Sequence, residues 1–261
     1  MKLYIIIFIS FIFYSCIDII IDEDYYESIY LQRSGWFEFY ENNQNEKLQF
    51  GSDINSSIQI WFSSKEQIEE IAPCILSIQG ENNNLSIYRT LNTNDKITIY
   101  LNNNLLDIIE LESINFNEQT NFYLLSAIME NGEISLYFNN TNILDSPIIW
   151  DAPYYNYQIG TSLNQNNDQT NLWYGYIDEI RLWDIPLTEE IIEFHNTYPK
   201  KVSASYDSSY LENLIGLWDF KIKTSEEDIS YIFQDINDNQ MYTILYTLNT
   251  TTQNELSVIG R

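Results

Sequence analysis

His195 is the chain's one histidine, so any Ser-His-Asp or Cys-His device would have to use it. It falls late in a short amphipathic stretch, where solvation or the negative end of a helix dipole explains a histidine more simply. Cys74, in Ala72-Pro73-Cys74-Ile75-Leu76, has no Lys, Arg or His nearby in sequence to lower its pKa. It reads as a buried small hydrophobe. Glu110 and Glu112 flank Leu111 and so share one face of a strand, as paired hydrolytic carboxylates would. Their neighbours Ile108, Ile109 and Ile114 suit a strand edge instead. Asp235-Ile236-Asn237-Asp238-Asn239 offers oxygen ligands, yet the Gly and closing Glu of an EF-hand loop are missing at their spacings, which favours a turn. No Gly-rich phosphate loop and no Cys/His zinc spacing occurs. Recognition is the chemistry that remains. The chain carries 6 Trp and 21 Tyr; aromatic faces stack on sugar rings while Asn and Asp read hydroxyls. Tyr154, Tyr155 and Tyr157, with Trp173 and Tyr174, are the candidate ligand platform. Strand packing is the competing account of the tyrosines. Trp36, Trp61, Trp183 and Trp218 sit in strand patterns and are expected in the core.

The elements that must position these residues repeat with period two. In Ser57-Ile58-Gln59-Ile60-Trp61-Phe62 the residues Ile58, Ile60 and Phe62 share a face; Leu85 and Ile87, then Ile97, Ile99 and Leu101, repeat the pattern. Trp173 to Trp183 reads as a strand with strict two-sided patterning. Between such runs lie Asn-rich turns, among them Asn102-Asn103-Asn104 and Asn139-Asn140. Asn tolerates left-handed backbone, which is how an all-β chain manages with 8 Gly. Phe122 to Met129 and Ile134 to Phe138 form a hairpin, with Asn131-Gly132 supplying a type I′ turn. Its Ile134, Leu136 and Phe138 are expected to face the core, with Ser135 and Tyr137 outward. Helix is scarce: one short helix near 187–197, which Thr188 can cap and whose first turn Glu189 and Glu190 suit, and at most one turn over Glu66 to Ile71. Short strands with regular turn signals predict a sandwich or barrel.

Leu3 to Tyr14 is apolar or aromatic apart from Ser10, and follows Lys2. It is shorter than the roughly 20 residues of a membrane-spanning helix and suits a secretory signal. Ser15-Cys16 resembles a bacterial lipoprotein processing site, with Phe13 where Leu is usual and Tyr14 where a small residue is usual. The expectation is a signal peptide over 1–15, lipidation of Cys16 and a tether over 16–30, with ordinary secretion or an uncleaved anchor as alternatives. The protein would then face outward from the bacterial envelope, meeting membrane only through its lipid. Residues 31–261 are expected to form a single domain that includes C-terminal strands over 211–246. With 38 acidic against 12 basic residues the formal charge is −26. Such a field repels phosphate backbones and so argues against nucleic acid. Cys16 and Cys74 are the only cysteines, so the fold rests on its core rather than on a disulfide framework.

These pieces, in order, resemble the LamG-like jelly-roll family of concanavalin A-like β-sandwiches. Gly35-Trp36-Phe37-Glu38-Phe39 with Leu48-Gln49-Phe50 resembles its opening strands, and Ser57 to Phe62 the strand that commonly ends in Trp. Tyr137-Phe138-Asn139-Asn140 and Gln158-Ile159-Gly160 resemble later steps. Gly175-Tyr176-Ile177-Asp178-Glu179-Ile180-Arg181-Leu182-Trp183 through Leu187-Thr188-Glu189-Glu190-Ile191 is the sharpest match. Ile215 to Phe220 resembles a segment that often precedes such domains, whereas here it follows. The resemblance implies an all-β, two-sheet antiparallel jelly-roll sandwich. It also implies that Asp178 helps hold a structural Ca²⁺; bonding to backbone N–H groups or pairing with Arg181 is the other reading. The Glu-x-Asp-x-Glu strand of laminarinase-type relatives does not occur in this chain. The expected function is therefore a non-catalytic surface binding or adhesion module, with glycans the leading ligand class and a surface protein second. A structural envelope protein and a diverged hydrolase are the competing classes.

Overall fold

A computed structural model describes residues 27–32, 35–41, 48–51, 53–64, 72–81, 83–90, 96–110, 122–163, 169–199, 209–218, 231–234, 241–247 and 258–260. The expected signal peptide, Cys16, the segment Glu66 to Ile71 and the cluster Asp235 to Asn239 lie outside the described residues.

The chain first lays down β1 (Glu27–Gln32), β2 (Gly35–Glu41), β3 (Phe50–Gly51), β4 (Ser56–Ser64), β5 (Cys74–Gln79), β6 (Asn84–Arg89), β7 (Lys96–Leu101), β8 (Asn104–Glu110) and β9 (Tyr123–Glu130). There follow β10 (Glu133–Phe138), β11 (Thr141–Asn142), β12 (Ile148–Ile149), β13 (Tyr154–Ile159), β14 (Ser162–Leu163), β15 (Gln169–Thr170) and β16 (Tyr174–Trp183). Helix α1 (Glu189–Thr197) and a 3-10 turn (Ser209–Asn213) lead to β17 (Leu214–Trp218), β18 (Tyr231–Gln234), β19 (Met241–Thr247) and β20 (Val258–Gly260). One sheet runs β11-β10-β9-β4-β16-β1-β20, with β12 on β10 and β17 on β16. The other runs β18-β19-β2-β13-β5-β6-β7-β8, with β3 on β13. Adjacent strands pair antiparallel, as in β4 with β9 and β5 with β6. The architecture is the expected two-sheet jelly-roll sandwich. Residues 214–260 contribute strands to both sheets. Among the described residues no helix is long and apolar enough to cross a membrane.

Alternation fills the space between the sheets. Ile58, Ile60 and Phe62 of β4 join Phe37, Ile78, Ile87, Ile99, Leu136 and Leu182 in one core. The hairpin closes as the sequence predicts, with Asn131 at φ 52° and Gly132 at φ 77°, and Ile134, Leu136 and Phe138 face inward. Asn102, Asn103 and Asn139 also take positive φ, so asparagine does replace glycine in the turns. Trp36 is a departure: it is half-buried, and its indole N–H donates to Glu38 Oε1 at 3.3 Å rather than packing in the core. Gly216 lies tight against the buried ring of Trp218; an added Cβ would lie 2.6 Å from Trp218 Cζ3. Gly216→Ala is expected to lower stability by about 1–3 kcal/mol through overpacking, read as a lower urea midpoint at unchanged slope.

The sheet of β4 and β16 is covered on its outer face too. Trp61, Leu124, Ile128, Tyr137 and Trp183 pack there against Leu187, Ile192, Tyr210 and Leu217. A bulge in β16 makes this possible. Ile177 pairs with Phe62 and Ile180 with Ile60, so Asp178 and Glu179 together stand opposite the single Trp61. Strict alternation therefore fails here: the extra residue returns Ile180 and Leu182 to the core and sends Arg181 and Trp183 outward. Tyr137, expected outward, does leave the core, but α1 covers it and its hydroxyl donates to Glu189 Oε1 at 3.2 Å. Thr188 holds the N-cap position in extended geometry without a side-chain cap bond to the backbone. Its hydroxyl serves Glu190, whose carboxyl is held below the usual range first by its own backbone N–H and then by Thr188.

Candidate functional site

The face of the second sheet turned away from the core takes the alternate residues of five strands. The register aligns Glu38 with Gln158, Gln158 with Ser77, Ser77 with Ser86 and Ser86 with Tyr100. At about 4.8 Å per strand this polar row spans about 19 Å. Its groups bond one another. Gln158 Nε2 donates to Glu38 Oε1 at 2.8 Å, and Gln79 Nε2 donates to Gln158 Oε1 at 2.7 Å. The Tyr40 hydroxyl donates to Glu38 Oε2 at 2.8 Å, and Ser77 Oγ donates to the Thr161 carbonyl at 2.9 Å. Glu38, Gln158, Gln79, Ser77 and Ser86 are all buried. The row is thus internally bonded, and ligand contact falls to its end.

That end is a recess of about 230 Å³ lined by Ala72, Tyr88, Tyr100, Asn103 and Asn171. Tyr88 and Tyr100 meet edge-to-face, centroids 5.4 Å apart, the geometry that ring quadrupoles favour. Tyr100 is half-buried and Asn103 exposed, which opens the recess to solvent. Each asparagine is set by its turn. Asn102 and Asn103 have φ 51° and 63°, the paired left-handed geometry of a two-residue hairpin turn. Asn102 Oδ1 accepts the Asn84 N–H at 2.8 Å and locks that turn, leaving Asn103 at the rim. Asn171, φ 53°, accepts the Cys74 N–H on its carbonyl at 2.7 Å and donates from Nδ2 to Ser162 Oγ at 3.2 Å. Burial first, and the neighbouring Cys74 second, push the Tyr88 phenol up, against hydrogen bonds from Ser162, Ser86 and Asn171. Its hydroxyl therefore stays protonated at neutral pH. The recess combines aromatic faces, hydroxyls and amides, and its described lining residues carry no ionised group.

The expected platform does not assemble. Tyr155, Tyr157 and Trp173 are buried in the core. Alternation puts Tyr155 and Tyr157 on the inner face of β13, where Ser56 Oγ bonds both hydroxyls, at 2.8 and 2.7 Å. Burial pushes the Tyr155 phenol up to about 12. Tyr154 and Tyr174 are half-buried at strand starts and remain partly accessible. His195, expected at a solvated helix end, is fully buried on the inward side of α1. Its Nδ1 bonds Gln59 Oε1 at 2.9 Å, its Nε2 bonds the Tyr210 hydroxyl at 3.3 Å, and its ring stacks on Trp183. Cys74 is buried as expected, and desolvation drives its thiol well up, so it is inert.

Asp178 lies in the β16 bulge at 3% exposure. Ca²⁺ takes six to eight oxygens, commonly from several carboxylates. Among the described residues no three His, Cys, Asp or Glu side chains converge on a metal position, so these residues do not form a carboxylate-rich cage around Asp178. A larger cleft, about 700 Å³, opens between edge strands β8 and β11 and includes Asp107, Glu110, Asn139, Asn142 and Asp145. Glu110 pairs there with Lys96, whose hydrogen bond and then charge hold its carboxyl below the usual range. A general acid needs the opposite shift.

Two antiparallel sheets in this order, closed over one apolar core, define a jelly-roll sandwich of the lectin type. The chain belongs to the concanavalin A-like lectin/glucanase superfamily, whose sequence profile matches residues 43–193. No curated protein matches it in sequence. Among solved structures it resembles a proposed carbohydrate binding protein from Bacteroides ovatus at 9% identity and TM-score 0.54, covering 90% of this chain and 60% of that one. It also resembles a heptameric SAP-like pentraxin from Limulus polyphemus at 13% identity and TM-score 0.41, covering 82% of this chain and 95% of that one. At this identity the first of these likenesses speaks to the fold alone. The recess was missed in the sequence, yet a signal was present: the outward positions Ser77, Gln79, Ser86, Tyr88, Thr98 and Tyr100 carry amides, hydroxyls and phenols instead of charges.

Proposed function

We propose that this protein is a non-catalytic carbohydrate-binding module that takes its ligand in the recess formed by Tyr88, Tyr100, Asn103 and Asn171. The observation that carries this reading is the convergence of an edge-to-face tyrosine pair and two amides at one solvent-open recess. Such a site offers a sugar ring an apolar face and its hydroxyls fixed partners. The missing Glu-x-Asp-x-Glu strand and the lowered Glu110 carboxyl support binding without hydrolysis. In this reading a lipid on Cys16 tethers the module to the outer surface of a bacterial envelope, where it serves adhesion. Tyr100→Ala is expected to weaken glycan binding about tenfold, near the top of what one aromatic contact contributes. Isothermal titration with the strongest binder from a glycan array checks this; wild-type affinity in the variant would refute the assignment.

Protein contact is the second reading. Edge strand β8 exposes Leu105, Leu106 and Ile108 at 50%, 46% and 49%, where edges usually carry charge. Its bulge beside Ile99 and the Asp107 Oδ1 cap on the Ile108 N–H, 2.7 Å, both blunt strand addition.

A further inference from the structure

We infer that the recess accepts one uncharged sugar unit at the end of a glycan and rejects anionic sugars such as sialic acids, uronates and sulfated residues; this rests on the carbohydrate-binding reading above. Size limits the ligand to a single ring. The recess, about 230 Å³, falls below the roughly 300–1,000 Å³ of pockets that hold drug-sized molecules. The polar row behind it provides no groove for further units. Gln158, Gln79, Ser77 and Ser86 are buried, and Gln158, Gln79 and Ser77 bond neighbouring protein groups. A terminal unit entering past Asn103 fits this shape.

Charge sets the class. The described lining residues Ala72, Tyr88, Tyr100, Asn103 and Asn171 include no cation, so a carboxylate or sulfate would shed water without gaining a counter-charge from them. The cations among the described residues are committed elsewhere. Lys96 is bound to Glu110, Arg181 lies against Glu179 and Trp61, and Arg89 is only 2% exposed. The chain's formal charge of −26 adds long-range repulsion. Amides and phenols, by contrast, donate to and accept from hydroxyls without any charge.

The test uses the full-length protein on matched oligosaccharides that share a core and end in an uncharged sugar, a sialic acid, a uronate or a sulfated sugar. Titration calorimetry is run with and without chelator. The expected result is binding to uncharged ends, at least a tenfold loss when the same end is anionic, and no effect of chelator. Asn103→Gly and Asn171→Gly keep the left-handed backbone while deleting each amide, so they are expected to fold normally and lose affinity. Equal or tighter binding of anionic ends, or affinity that climbs with each added sugar, overturns the terminal-neutral assignment while leaving carbohydrate binding intact. Unchanged binding in both glycine variants overturns the location. Silence on every glycan overturns the carbohydrate reading itself, and this inference with it.

Discussion

Arg181→Met is expected to destabilise the fold by about 3–5 kcal/mol, the usual consequence of removing one partner from a buried ion pair. Arg181 is fully buried on the outer face of the first sheet. Its Nε–H donates to Glu179, an Nη2–H donates to the Pro199 carbonyl, and its guanidinium lies 4.4 Å from the centroid of a Trp61 ring. Methionine replaces the stem but none of the charge. Glu179, 8% exposed at its side chain, would then keep a desolvated carboxylate deprived of its ion-pair partner. The double variant Arg181→Met, Glu179→Leu removes both charges and should recover most of the loss, since well-packed hydrophobic replacements of buried pairs are often neutral or better. Chemical denaturation of the wild type, the two single variants and the double variant closes the cycle. A coupling near zero would mean that the pair is solvated and adds nothing to the stability of the outer face.

That pair also shows where sequence reading reaches its limit. The strands were legible because apolar residues recur with period two, and the hairpin because Asn131-Gly132 has only one comfortable turn geometry. The run from Gly175 to Trp183 carried the family resemblance, but its alternation cannot reveal a bulge. Residues 178 and 179 look like consecutive members of one pattern until the register with β4 places both opposite Trp61. Everything after the bulge then swaps faces, which is why Arg181 and Trp183 lie under α1. His195 follows from the same event: it is buried because the outward Trp183 supplies a ring for it to stack on and Gln59 an acceptor.

The recess was hidden for a different reason. Its lining comes from position 72, β6, β7 and the turn after it, and position 171, so no local window of sequence contains it. The tyrosine cluster at 154–157 stood out because it is contiguous, yet contiguity works against a platform in a strand. Neighbouring residues point to opposite faces, and in β13 the inward face takes Tyr155 and Tyr157. Local density of aromatic residues is therefore a weaker guide to a site on a β-sandwich than polar identity at the outward positions of adjacent strands.

Trp173 separates the two accounts most cleanly. It is fully buried, packs edge-on against Phe62 at 5.5 Å, and its indole N–H has no hydrogen-bond acceptor among the described residues. Trp173→Ala is expected to lose about 3–5 kcal/mol of stability, the range for deleting a large buried aromatic. Trp173→Phe retains much of the ring and removes the buried N–H, so its cost should be about 1 kcal/mol or less. A core residue and a ligand platform make opposite demands on that second variant. If Trp173 serves the core, Trp173→Phe keeps glycan affinity within about twofold while Trp173→Ala lowers the melting temperature by several degrees. If Trp173 stacked on sugar, Trp173→Ala would retain its melting temperature and lose affinity. Thermal melts and titrations on the same two variants decide between them. Because Trp173 lies two residues from Asn171, whose carbonyl anchors Cys74, the phenylalanine variant is the one in which affinity reports on the ring and not on a displaced recess.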